Sequence, residues 1–356
     1  MTAYEDDRDT HRVTQTPARR RRAPSRAGAA ATSLRRRHPG HAPLAGRGGS
    51  KPAPTPTLAL ALALTLAFAA PAAARQSGQW FPPRPQFAPL LADPHEIRLA
   101  AGLAWTDLFD PDKTPAERPG IRFGDPDDMR RDLQGVVSLG GTLPLWGYSI
   151  APGRSLVVAI QAGVFARFRM EVPSRDYTAS DWTVALPITW NDGRFSVRTR
   201  ILHRSSHLGD EIIAYSDARR IEYAHEAVDF LIAYHVRPST RVYGGSTWIF
   251  RSLTETEPLL RVRHPGLHDD AALQLGFDAE WPLRDDDDIT ALAGLDLQSA
   301  DRTGWRTQLS AAAGFGARGP GGGLRLLLHF FHGTSPLGEF FLTDESYWML
   351  EAVVTR

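Results

Sequence analysis

Most of the chain after residue 96 consists of segments in which large apolar residues alternate with small, polar or charged ones. In one of them, Leu156, Val158 and Ile160 alternate with Ala159 and Gln161. Successive side chains of a strand point to opposite faces, so each segment predicts a strand with one apolar and one polar face. We place about twelve such strands, at 97–106, 133–145, 154–168, 182–191, 193–206, 220–235, 239–251, 271–282, 288–299, 303–316, 323–333 and 346–354.

The length of these segments favours a membrane barrel over a soluble sheet. They run to about ten residues or more, whereas strands of soluble proteins average about 5–6. Several apolar faces also end in aromatic residues, as at Trp182 and Trp190, which is typical of the interfacial girdles of outer-membrane barrels. The pattern predicts an all-β fold: a transmembrane antiparallel β-barrel whose apolar faces contact lipid and whose polar faces line the interior.

The connections between the segments alternate in length in the way a barrel requires, except at 300–302, which is short where a long connection is expected. Long ones such as 107–132 and 252–270 are separated by short ones such as Asn191-Asp192-Gly193, a strong tight-turn sequence. Long loops outside and short turns in the periplasm are the rule for outer-membrane barrels. With an even number of strands, both chain ends lie on the periplasmic side.

The interior faces carry charges of both signs, so we expect ion pairs across the lumen and a narrow or plugged interior. They include Arg167, Arg198, Arg200, Arg204, Asp229, Asp278, Glu280, Asp296, Arg306 and Arg325.

The first part of the chain predicts export. Residues 1–56 are rich in arginine although the whole chain has a formal net charge of only +1. This segment lacks interleaved aromatic residues, so we interpret it as disordered, with no nucleic-acid partner, and its length makes the true start codon doubtful. Residues 57–74 have the apolar core and the small residues of a cleaved signal peptide; a membrane anchor is the alternative, but the apolar run is short for one.

The mature chain is then predicted to contain a Pro-rich periplasmic lead-in at 75–96 and the barrel at 97–356. The expected location is the bacterial outer membrane, with outer-membrane lipid and, during insertion, the barrel-assembly machinery as partners. The chain has no cysteine. Disulfides, thiolate metal sites and cysteine nucleophiles are therefore excluded.

A dense polar cluster follows the alternation of 195–201. It reads His203-Arg204-Ser205-Ser206-His207-Leu208-Gly209-Asp210-Glu211. This run resembles the signature of a family of bacterial outer-membrane barrels that is defined only as a domain of unknown function. Residues 87–94, 226–229, 241–245 and 335–341 are similar to the same family. The resemblance implies a fold and a location, and it brings no established activity.

His203 and Ser205 also resemble the His-x-Ser arrangement of outer-membrane phospholipase A and of the lipid A deacylases. Residues i and i+2 share a strand face, so an imidazole at 203 can act as base for the Ser205 hydroxyl when a third group orients it. A symmetric hairpin across 207–219 would place Glu222 opposite His203. The catalytic hypothesis is therefore Ser205 as nucleophile, His203 as base and Glu222 as orienting acid.

Alternatives remain at this stage. His203 and Ser205 could belong to the polar rim of the barrel, with Ser206, His207, Gly209, Asp210 and Glu211 shaping a loop. Oxygen ligands from Asp210 and Glu211 would suit Ca²⁺, the one cofactor that the sequence suggests. The protein is then either a barrel with a structural, transport or interaction role, or an outer-membrane lipid hydrolase.

Overall fold

The computed structural model describes residues 77–83, 87–109, 132–171, 175–215, 223–253, 270–283 and 288–355. The segments predicted as a disordered preamble (1–56) and a signal peptide (57–74) lie outside these residues.

Thirteen strands make up the described chain, and twelve of them close into an antiparallel barrel. The strands are β1 Ser77–Trp80, β2 Leu99–Thr106, β3 Asp132–Ala151, β4 Arg154–Arg169, β5 Tyr177–Asp192, β6 Phe195–Leu208, β7 Tyr223–Arg237, β8 Thr240–Ser252, β9 Ala271–Pro282, β10 Ile289–Ala300, β11 Thr307–Gly319, β12 Gly322–Thr334 and β13 Asp344–Thr355. Each strand from β2 to β13 pairs with its neighbour in sequence, and β13 pairs with β2 to close the barrel. The predicted fold and its twelve strands are confirmed.

Within the described residues, helical structure is confined to the connections. Helix α1, Asp210–Tyr215, follows β6, and two 3₁₀ turns lie at Asp301–Thr303 and Gly338–Phe340. Among the described residues, no helix has the length and apolar character needed to cross a membrane.

The outer face of the barrel is apolar, as the alternation predicts. Trp182 is 50% exposed and Leu275 is 60% exposed. They belong to an outward set that includes Leu143, Ile160, Leu186, Ile188, Ile201, Ile232, Leu273, Phe315, Leu326, Trp348 and Leu350. Exposed apolar surface of this extent marks a membrane-facing wall.

The interior is lined with paired charges. Arg200 and Arg241 contact the carboxylates of Asp229 and Asp278 on neighbouring strands. Arg167 on β4 forms a buried ion pair with Glu345 on β13, and strands β2 and β3 lie between these two in the sheet. Charges of both signs thus pair inside the barrel as expected, but these pairs join nearby strands instead of crossing the lumen.

The barrel has two distinct ends. At one end, which we call the turn end, the strands are joined by tight turns such as Ala151–Arg154 and Asp192–Phe195. At the other, the loop end, lie the connections 107–131, 209–222, 253–270 and 335–343, between strands β2 and β3, β6 and β7, β8 and β9, and β12 and β13.

Residues 87–98, which we call the inner segment, lie inside the barrel. β1 pairs with Ser149 to Trp146 of β3, and β2 pairs with Ser138 to Asp132 of the same strand. β1 and β2 thus occupy one strand position, and the chain between them turns into the lumen. Phe87, Leu90, Leu91, Glu96 and Ile97 are buried there.

The inner segment belongs largely to the stretch that the sequence assigns to a periplasmic lead-in. It is Pro-rich and contains no helix or strand. Burial of Phe87 and Leu90 against Leu231 and Tyr243 explains why it enters the barrel instead of staying in solvent.

The β12–β13 loop, residues 335–343, enters the barrel from the loop end. Leu337 and Phe340 pack with Phe109, Leu208 and Ile212. A cavity of about 40 Å³ remains between this loop and the inner segment, enough for about three water molecules. The lumen is therefore filled from both ends.

Candidate active site on the outer wall

Strand β6 divides the signature residues between the two faces of the barrel. Leu202, Ser206 and Leu208 are buried on the inner face, whereas His203 and His207 are exposed on the outer face. Ser205 lies on the outer face with His203 and is half-buried. β6 ends at Leu208, so Ser205 is about 10 Å from the loop end of its strand.

His203 contacts a carboxylate of the next strand. Its Nδ1 lies 3.3 Å from Oε1 of Glu226, which is the residue directly opposite on β7. In an antiparallel ladder, hydrogen-bonded and non-hydrogen-bonded residue pairs alternate. The backbone hydrogen bond from His235 N–H to Arg194 C=O makes these two residues a hydrogen-bonded pair of the β6–β7 ladder. By that alternation His203 and Glu226 form a non-hydrogen-bonded pair, the kind in which opposing side chains come closest.

The predicted acid, Glu222, lies outside the described residues, and the register places Glu226 instead of Glu222 opposite His203. The assumption of a symmetric hairpin across 207–219 is therefore wrong. Helix α1 takes up 210–215 in the connection, and β7 begins only at Tyr223. The predicted strand start at 220 lies outside the described residues.

Ser205 lies between Trp182 on β5 and Ala224 on β7. No hydrogen bond joins Ser205 to His203 within the part of the chain that the structure describes. With Nδ1 directed at Glu226, the other ring nitrogen, Nε2, is the one left to take the proton of the Ser205 hydroxyl.

Arg251 on β8 is the second partner of Glu226. Its Nη1 lies 3.5 Å from the same Oε1, and the two residues are directly opposite in the ladder. A carboxylate on a lipid-facing wall is costly unless it is partnered, and here the partners are an imidazole and a guanidinium. His203, Ser205, Glu226 and Arg251 thus form a polar cluster on the apolar outer wall.

Ser206, adjacent in sequence, has a different task on the inner face. Its hydroxyl donates a hydrogen bond to Asp181 on β5 and accepts one of 3.1 Å from the Glu339 amide. The Gly338 amide donates to both carboxylate oxygens of Asp181 at 3.1 Å. Ser206 and Asp181 therefore hold the β12–β13 loop inside the barrel. The sequence pattern contains no local signal for this contact.

Gly209, Asp210 and Glu211 form the transition from β6 to α1. A Cβ atom at Gly209 would lie 1.7 Å from the Tyr177 carbonyl oxygen, so only glycine fits. Asp210 and Glu211 occupy the first turn of α1, where their negative charges interact favourably with the positive end of the helix dipole. Among the described residues, no group of three histidine or carboxylate side chains is placed to hold a metal ion; calcium at Asp210 and Glu211 stays a prediction.

Fold and surface define the class of this protein: a closed twelve-stranded β-barrel with an apolar outer wall, the architecture of outer-membrane proteins. A family model described as "Protein of unknown function (DUF1207)" matches residues 67–353. The chain belongs to this family.

Several solved structures share the barrel architecture. Outer membrane phospholipase A from Escherichia coli has a TM-score of 0.45 and 12% identity, covering 72% of this chain and 92% of its own. An outer membrane channel from Pseudomonas putida F1 has a TM-score of 0.39 and 8% identity, covering 78% of this chain and 100% of its own. At these values the likeness concerns the fold alone. No curated protein sequence matches the chain significantly.

Proposed function

We propose that this protein is an outer-membrane lipid hydrolase that cleaves acyl esters on the outer wall of its barrel. Ser205 is the nucleophile, His203 the base and Glu226 the group that orients the imidazole. The observation that carries the proposal is the contact of His203 Nδ1 with Glu226 Oε1, 3.3 Å, on the strand face that Ser205 shares. Glu226 takes the role that the sequence assigns to Glu222.

The chemistry follows from these three groups. Ser205 Oγ attacks the ester carbonyl carbon while His203 Nε2 takes the hydroxyl proton. The C–O bond to the lipid alcohol breaks, and the imidazolium returns its proton to that alcohol. Water, activated by the same nitrogen, then hydrolyses the acyl-serine. The products are a free fatty acid and a lipid with one acyl chain fewer.

The position of the cluster suits a lipid substrate. The surrounding wall, with Trp182 and Ile201 exposed, would contact acyl chains directly. Ser205 lies near the loop end, which we assign to the cell exterior because it carries the long connections. At this end of the wall we expect Ser205 to meet the ester bonds of outer-leaflet lipids.

The competing function is a barrel with a structural or interaction role, in which the same cluster is an ion-paired rim. The contact of Arg251 with Glu226 favours that interpretation, because an ion pair by itself accounts for a carboxylate on the lipid-facing wall and requires no catalytic role. Fatty acid release separates the two functions.

The test uses the folded, purified chain in mixed micelles of phosphatidylethanolamine or lipopolysaccharide, with added Ca²⁺ or with a chelator. We expect fatty acid release that falls by about 100-fold or more in Ser205→Ala and His203→Ala and by a smaller factor in Glu226→Gln. Ser206→Ala is the matched control, because it removes the neighbouring hydroxyl from the opposite face. A fluorophosphonate probe should label the wild type and Ser206→Ala but not Ser205→Ala. A heat-modifiable, folded wild type that releases no fatty acid from either lipid removes the enzymatic proposal.

A further inference from the structure

Arg198 differs from the other interior arginines in the source of its carboxylate. Arg200 and Arg241 are neutralised by Asp229 and Asp278 of adjacent wall strands. Arg198 also belongs to the wall, on β6, but its ion-pair partner is Glu96 of the inner segment. The wall thus presents a cation whose counter-charge is carried by a stretch without regular secondary structure.

The Arg198–Glu96 contact leaves the guanidinium only partly satisfied. A single nitrogen, Nη1, lies 3.0 Å from both carboxylate oxygens of Glu96. Nε of Arg198 is buried and has no hydrogen-bond partner among the described residues, and the side chain is only 4% exposed. An unconstrained carboxylate would bind the guanidinium side-on, with one oxygen on Nε and one on an Nη, which is the stronger geometry.

The surroundings are built for an anion. Arg200, the next inward residue of β6, is already paired with Asp229, so it does not compete for the carboxylate at Arg198. The Phe87 ring lies 4.8 Å from the Arg198 guanidinium carbon. Phe87 and Glu96 both belong to the inner segment, so withdrawal of that segment toward the turn end would uncover Arg198. β1, which holds the segment on that side, has only four residues.

We propose that Arg198 is the centre of a binding site for a small carboxylate ligand inside the barrel, and that Glu96 occupies this site in the ligand-free protein. The inner segment and the ligand compete for the same guanidinium. This site is separate from the outer-wall cluster, and neither proposal depends on the other.

Chemical rescue tests the site. Glu96→Ala removes the carboxylate and one methylene group, so Arg198 loses its counter-charge and can bind an added carboxylate such as propionate. We expect a lower unfolding temperature, measured in detergent, and a saturable recovery with sodium propionate but none with propionamide at equal ionic strength. The double variant Glu96→Ala/Arg198→Gln should not respond. If Glu96→Ala fails to fold, Glu96→Gln takes its place. The side-chain amide of this variant binds Arg198 more weakly than the Glu96 carboxylate does, so the variant should reach half-saturation at about tenfold less propionate than the wild type.

A disulfide tests the competition in the otherwise native chain, which has no cysteine of its own. The Cβ of Ile97 lies 3.5 Å from the position that a Cβ would take at Gly163 on β4. The two atoms closer to that position are the γ-carbons of Ile97, which are absent in the cysteine variant. This separation suits a disulfide. Oxidised Ile97→Cys/Gly163→Cys holds the neighbouring Glu96 in place and should not respond to propionate, and reduction should restore the wild-type response.

Three results would overturn the proposal. One is an equal response to propionate and propionamide, and another is a response of the Arg198→Gln double variant. The third is a wild type that stays unresponsive at about 100 times the concentration that half-saturates Glu96→Ala. That result would make Glu96 a purely structural partner.

Discussion

Asp181 and Ser206 face each other in register on β5 and β6, and together they accept the amide hydrogens of Gly338 and Glu339. This pair joins the strand that carries the outer-wall cluster to the loop that fills the barrel. Both side chains of the pair are buried.

Loss of this contact should destabilise the barrel without reaching the outer wall. For Ser206→Ala we expect about 1–3 kcal/mol of lost unfolding free energy, because it leaves Asp181 and the Glu339 amide short of a buried partner. Ser205→Ala, one residue away on the outer face, should change stability by less than about 0.5 kcal/mol. Urea unfolding in detergent or vesicles measures both, and equal losses would contradict the division of the two serines between faces.

A side chain at Gly209 should disrupt the end of β6. The added Cβ would meet the backbone of Tyr177 at 1.7 Å, and backbone atoms cannot move aside as a side chain can. We expect Gly209→Ala to cost more than about 3 kcal/mol or to prevent folding. Gly141→Ala is the matched control, because nothing lies within 4 Å of its Cβ position. Folding is read from heat-modifiable migration on a gel, and normal folding of Gly209→Ala would refute the close approach.

The ion pair of Arg167 with Glu345 should matter far more than an exposed pair. Glu345 also accepts hydrogen bonds from Thr106 and Ser335, so these contacts hold its carboxylate in the interior when the arginine is removed. We expect Arg167→Gln to cost about 3–5 kcal/mol. Arg154→Gln, which breaks a pair with Asp192 at the exposed turn end, should cost about 0–1 kcal/mol. Similar losses in the two variants would show that the interior is hydrated.

His95 in the inner segment should make stability depend on pH. Burial and the charge of Arg204 hold the pKa of His95 below its ordinary value, although the carboxylate of Asp181 works in the opposite direction. Nε2 donates to the Pro336 carbonyl oxygen at 2.7 Å, which the neutral ring can do. Because the unfolded chain binds the proton more readily, this contribution to stability is complete above about pH 6.5. It is lost as the pH falls toward the lower pKa of the folded state.

The measurement compares the wild type with His95→Gln, whose amide nitrogen can keep the hydrogen bond to Pro336. Between pH 7.5 and pH 5 the wild type should lose more unfolding free energy than the variant, by up to about 1.4 kcal/mol for each unit by which the pKa is lowered. Parallel pH profiles would mean that His95 is protonated inside the barrel.

The filled lumen predicts that the protein conducts no sustained ion current. The inner segment and the β12–β13 loop enter from opposite ends, the first bound to the wall by ion pairs and the second by hydrogen bonds of its backbone. Purified protein in planar bilayers should stay at the background of the lipid alone. Large, stable conductance steps from the folded barrel would favour a transport role over both proposals made above.

The strands were predictable because a membrane wall imposes one simple rule on the sequence. Outward apolar residues such as Leu156 and Val158 alternate with interior residues along each strand that faces lipid. Tight-turn sequences such as Asn191-Asp192-Gly193 mark the hairpins between strands. The outward placement of His203 and Ser205 followed from the same rule. The identity of the acid opposite His203 could not be predicted in this way. The register of β7 on β6 depends on how many residues the connection and its helix α1 contain, and the alternation pattern does not give that number.

The inner segment was beyond this reasoning for a physical reason. Alternation describes strands, and residues 87–98 form none. Their positions depend on partners more than a hundred residues away, such as Glu96 with Arg198 and Leu91 with Asp278. The apolar residues at 87, 90 and 91 were a signal for burial, but a short apolar run next to several prolines does not say what will cover it.

The assignment of Ser205 and Ser206 to opposite faces makes β6 sensitive to sliding by a single position. A shift of that size would bring Ser206 into contact with acyl chains and turn Ser205 toward Asp181, exchanging the roles of two identical side chains. The tight fit of Gly209 against Tyr177 and the loop amides bound at Asp181 both oppose that shift. The outward position of Ser205 on the lipid-facing wall would thus depend on contacts inside the barrel, which lipid does not reach.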